Sequence, residues 1–105
     1  MKEKETVCVN LTGCKYYMEL HARIRDAFDF PEGYGMNWHA FWDFLNTECP
    51  SDRVVVIGAE TMPAELEKSL AMMKHYLEDL RQRRERMNAP FSYEFITAEQ
   101  ANEAE

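Results

Sequence analysis

The sequence predicts an α/β domain: a three-stranded, mostly parallel sheet packed by three main helices. Three observations predict it. Three short runs, residues 6–11, 53–57 and 91–96, are rich in β-branched and aromatic residues and are the size of strands. The segments between them carry apolar residues at helical spacing. Those segments are long enough to serve as the crossovers that parallel strands require. At 105 residues the chain suits one core.

Residues 6–11, TVCVNL, alternate in character and read as the first strand, with Cys8 as a small buried apolar residue. Gly13 turns the chain. Residues 15–28 place Tyr17, Leu20, Ile24 and Phe28 on one stripe with charges between them, the pattern of an amphipathic helix. Pro31, Gly33 and Gly35 make residues 29–36 a loop. Trp38, Phe41, Trp42 and Leu45 then repeat as i, i+3, i+4 and i+7, so residues 37–47 form a short helix. Asn37 or a neighbour is positioned to cap it, and Cys49, Pro50 and Ser51 end it.

The run RVVVI at 53–57 is nearly unbroken in apolar character, as expected of a central strand covered on both faces. A turn at 58–62 leads to a long helix over about 63–86, with Pro63 in its first turn. Leu66, Leu70, Met73, Leu77 and Leu80 line one side of it. Its end carries Arg81, Arg83, Arg84 and Arg86, cations that complement the helix dipole. This cluster reads as a solvated helix end beside an acidic tail, with a second binding site as the alternative. FSYEFI at 91–96 is the last strand. The tail 97–105 lacks large apolar residues and is expected to fray.

Composition narrows the function. The net charge of −7 disfavours direct contact with nucleic acid phosphates and suits a basic partner. Three cysteines, Cys8, Cys14 and Cys49, show no CxxC spacing, so neither a disulfide scaffold nor a zinc site is expected. No apolar run reaches the roughly 20 residues of a membrane span. The Lys/Glu-rich start, Met1–Glu5, does not resemble a secretory signal, and a cytoplasmic location is expected. No Gly-rich phosphate loop, nucleophile elbow or metal motif is present, so no cofactor is expected.

One window stands out. From Asp26 to Asp52 there is no Lys or Arg, while Asp26, Asp29, Glu32, Asp43, Glu48 and Asp52 all lie within it. The resulting negative field falls on the loop 29–36 and the short helix. On that helix Phe41 and Leu45 face the core. His39 and Asp43, four residues apart, share another face. Trp38 and Trp42 are expected at the seam between core and solvent. They are either core aromatics beside a solvated Asp43 or interface anchors beside a charge that pairs with a partner.

The run PEGYGMNWHAFWDFL, residues 31–45, closely resembles the signature of the barstar family of intracellular ribonuclease inhibitors. The match rests on Pro31, Tyr34, Gly35, Asn37, Trp42, Asp43 and Leu45, and the order of elements agrees over roughly residues 6–96. The resemblance implies one barstar-like domain over 1–105, with a core at about 6–96. It also implies an inhibitor or immunity protein of bacterial type, monomeric when free, whose acidic loop and helix fill the basic cleft of a ribonuclease or nuclease toxin in place of RNA phosphates. The partner-binding residues it implies are Asp43 as the central acid, Trp42 and Gly35 beside it, Tyr34 more weakly, and Glu78 on the long helix. His39, Asn37 and Trp38 complete the expected face. Gly33 stands where the family often has Tyr. His39 stands where the barnase-inhibiting member carries an acid, which puts barnase itself in question as a tight target.

Other functions fit less well. His39, Asp43 and Glu78 as an acid–base group would need a concave pocket, which an outward helix face does not supply, so the chain is not expected to be an enzyme. His39 and Asp43 alone make too few ligands for a metal, and His21 and His75 read as ordinary helix residues. The serious alternative is an adaptor that uses the same acidic face on a non-nuclease partner.

Overall fold

The computed structural model describes residues 6–49 and 51–103. The Met1–Glu5 segment, Pro50 and the last two residues lie outside them. Strand β1 (Val7–Asn10) is followed by α1 (Tyr17–Phe28), α2 (Trp38–Glu48) and β2 (Arg53–Ile57). Two short 3₁₀ turns, Ala59–Thr61 and Ala64–Leu66, lead into α3 (Glu67–Arg86), then β3 (Ser92–Ile96) and α4 (Ala98–Glu103).

The sheet runs β1-β2-β3 and both pairings are parallel, with Val7 opposite Val54 and Val54 opposite Tyr93. Both crossovers step the same way across the sheet. Right-handed connections that step the same way lie on one face. The burial agrees. Val7, Val9, Val54 and Val56 are fully buried against the helices, together with Leu20, Ile24, Phe28, Phe41, Leu45, Met73, Leu77 and Leu80.

This one-sided arrangement corrects one expectation and refines another. Cys8 is exposed, because its side chain points opposite to Val7 and Val9 in a strand of period two. β2 has helices on one face only, yet Val54, Val55 and Val56 are all buried, as its apolar run predicts. Val55, on the helix-free side between exposed Cys8 and Glu94, is only 6% exposed although it stays outside the core cluster. An ion pair from Arg53 to Glu94 (3.2 Å) crosses that open face.

Two glycines fix the turns at the carboxyl ends of the strands. Gly58 has φ +76°, and a Cβ there would lie 2.9 Å from the Thr12 backbone. Gly13 has φ +77°, and its N–H donates to Thr61 Oγ1 (2.9 Å). The tail is not frayed over 98–103. The Gln100 N–H donates to Thr97 Oγ1 (3.0 Å), while the Thr97 N–H donates to Gln100 Oε1 (2.8 Å). This is a reciprocal capping box, and its T-x-x-Q pattern is visible in the sequence. Glu60 also accepts the Ala98 N–H (2.9 Å) and ties α4 to the first 3₁₀ turn.

Candidate functional site

The loop and α2 are held from below by aromatic packing. Asp29 ends α1 in the left-handed region (φ 60°) and turns the chain. Phe30 and Tyr34 are buried and pack with Phe44 at 5.4 and 5.9 Å between ring centres. Asn37 is the N-cap of α2. Its Oδ1 accepts the Ala40 N–H (2.8 Å), and its amide donates to the Gly35 carbonyl (3.2 Å). A Cβ on Gly35 would sit 3.3 Å from that amide, so glycine leaves room for the cap.

Of the expected partner-binding residues, His39 and Asp43 are exposed on α2, and Gly35 and Asn37 are exposed before it. Among the described residues no cation lies within ion-pair distance of Asp43. Trp38 and Trp42 are half-buried. Trp38 leans inward, 4.4 Å from the His21 ring and 5.3 Å from Phe41. Trp42 stacks on Tyr76 of α3 (5.6 Å, 27°), with the Arg83 guanidinium 5.9 Å from its centre.

Two expected residues do not join this surface. Tyr34 is only 4% exposed, with its hydroxyl on His21, so it supports the loop instead of facing outward. Glu78 lies about 200° around α3 from Tyr76, because two residues advance a helix by more than half a turn. Its carboxylate is occupied. Arg81 donates to it at 2.6 and 3.0 Å, Gln82 at 3.0 Å and Tyr93 at 2.8 Å. Arg81 first, then Gln82 and Tyr93, hold its pKa down at about 2.

Sequence reasoning missed the α3 half of the face. Tyr76, Asp79 and Arg83 recur at i, i+3 and i+7 on the flank that meets Trp42. Asp79 is half-exposed, 3.5 Å from His75. The i, i+3, i+7 spacing was the available signal, but it runs beside the Leu/Met stripe and does not show which flank meets α2.

The local run of carboxylates is also weaker in space than in sequence. Arg25 reaches Asp26 at 3.4 Å from just outside the window, and Arg84 reaches Asp52 at 3.8 Å. With Arg83 above Trp42, the face is mixed among the described residues: Asp43 and Asp79 stand beside a cation and two histidines. Among the described residues no group of three or more His, Cys, Asp or Glu could hold a metal, and no helix is long and apolar enough to cross a membrane.

The family model of barstar, described as the barnase inhibitor, matches residues 4–96. The chain belongs to the barstar family. No curated protein and no solved structure matches it. The all-parallel three-stranded sheet with helices in its crossovers is consistent with a barstar-like fold. This barstar-family chain thus carries its signature, residues 31–45, on the loop and α2, where Asp43 and Trp42 stand side by side at the surface.

Proposed function

We propose that this chain inhibits a ribonuclease by seating the loop 31–37 and the outward face of α2 in its RNA-binding cleft. One observation carries the reading: within a barstar-family signature, Asp43 stands exposed and, among the described residues, without a cation, next to a Trp42 already fixed by stacking on Tyr76. A carboxylate in that setting accepts paired, charge-assisted hydrogen bonds from an arginine that otherwise holds phosphate. The prefixed indole adds apolar contact without a further ordering cost. Asp79 supplies the second acid of the face in place of Glu78. The inhibitor works in the cytoplasm as an immunity protein, protecting the cell that makes the nuclease. His39 and Arg83 make the face less anionic, which favours a nuclease other than barnase.

The test is titration of the chain into barnase and a panel of other basic microbial ribonucleases. Loss of RNA cleavage by one of them at a one-to-one ratio supports the proposal. Binding without loss of cleavage across the panel points to the adaptor function, and substrate turnover by the chain alone refutes inhibition.

A further inference from the structure

His21 is fully buried on α1, yet among the described residues one nitrogen of its imidazole has no partner. Its Nδ1 lies 2.6 Å from the Tyr34 hydroxyl oxygen, while Nε2 is buried without a hydrogen bond among the described residues. The ring packs between Tyr17 (4.8 Å), Tyr34 (5.8 Å) and Trp38 (4.4 Å). It therefore touches the loop and the first residue of α2 together. We infer that His21 is a positioning residue of the docking surface, whose Nδ1 latches Tyr34 while its ring supports Trp38, so that α1 sets the geometry of the loop 31–37 and the start of α2.

The polar cost makes the argument. A leucine or phenylalanine would fill the same space without leaving a buried nitrogen unsatisfied. Burial keeps the imidazole neutral at pH 7 and raises the Tyr34 phenol, so the phenol remains a donor. The simplest arrangement has the Tyr34 O–H donating to Nδ1, which leaves the hydrogen on Nε2 facing its aromatic neighbours. Nδ1 gives a directional bond that apolar packing cannot, and direction is what a loop with no regular structure lacks. Met36, at φ 57°, shows that this loop holds a conformation that side chains other than glycine rarely adopt. The loop's value to a partner rests on the function proposed above. The positioning itself is tested on the free chain, so the two ideas fail separately.

The experiment is amide hydrogen exchange on the free protein at pH 7. In the double variant His21→Leu/Tyr34→Phe both polar groups are gone while apolar side chains of similar size fill their places. The amides of Tyr34, Ala40 and Phe41 should exchange at least about tenfold faster, with the sheet amides of Val9 and Val55 unchanged, because the opening is local. His21→Asn places an acceptor where Nδ1 was and should keep the Tyr34 amide slow, while loss of the ring still speeds Ala40 and Phe41. If the double variant does not fold, Tyr34→Phe alone removes one oxygen and should give the same local acceleration. Unchanged loop amides overturn the inference. So does an equal acceleration of loop and sheet, or a His21→Asn protein that behaves like the double variant.

Discussion

Acidification should destabilise this protein through His21 before its carboxylates titrate fully. Burial lowers the His21 pKa from 6.5 to about 4, and the rings around it bring no carboxylate to hold an imidazolium. In the unfolded chain the same side chain takes up a proton near its ordinary pKa. Between these two values the unfolded state binds more protons, so stability falls as pH falls. At about 1.4 kcal/mol per pH unit, the full interval is worth about 3 kcal/mol, a large part of the 5–15 kcal/mol typical of a domain. The loss begins near pH 6.5 and is complete just below pH 4. Urea unfolding at half-unit steps from pH 7.5 to 4 measures it, with His21→Asn as the reference. The other ionisable groups are common to both proteins and cancel in the difference. The difference should close by about 3 kcal/mol as pH drops. Two curves that stay parallel over this range refute the reasoning.

Further outcomes are expected. Asp43→Ala should weaken binding to the inhibited nuclease by more than about 2 kcal/mol, and a dissociation constant close to wild type would remove Asp43 as the anchor. Glu78→Gln should leave that affinity within about twofold of wild type, as for a substitution away from the interface; calorimetry on the complex decides. Association should be faster at low salt and faster again in Arg83→Ala, which deletes the cation over Trp42. Stopped-flow rates that ignore both changes would contradict a basic cleft as the target. Gly58→Ala should cost about 2 kcal/mol or more, from left-handed strain and the approach to Thr12, read from the chemical denaturation midpoint.

The elements were legible where periodicity was strong. Val7 and Val9, the Leu20–Ile24–Phe28 stripe and the Phe41–Leu45 pair all face the core, and Asn37 caps α2 as its side chain allows. Misreadings arose where local pattern and tertiary placement diverge. Cys8 resembles a core residue in composition, but the uncovered side of the sheet claims it. Tyr17 was expected on the apolar stripe, yet it is 37% exposed, and His21 takes the buried position instead. A histidine gives no sequence signal of that exchange, because its burial depends on Tyr34, thirteen residues later. Glu78 and Asp79 are adjacent in sequence but lie on different flanks of α3. Only the side on which α3 meets α2 decides which acid can reach a partner, and a single sequence does not encode that choice in any short pattern. The carboxylate window misled for a related reason: Arg25 and Arg84 lie just beyond it or far along the chain, and both fold back onto it.

The stack of Trp42 on Tyr76 joins two connections separated by the whole of β2. A synthetic fragment copying residues 31–45 would keep the family signature and lose the floor on which its indole rests, so the arrangement of that surface belongs to the folded domain. The two halves also answer to different pressures. Under the function proposed above, changes along the Tyr76–Asp79–Arg83 flank would alter which nuclease is accepted while the loop and α2 keep the family signature.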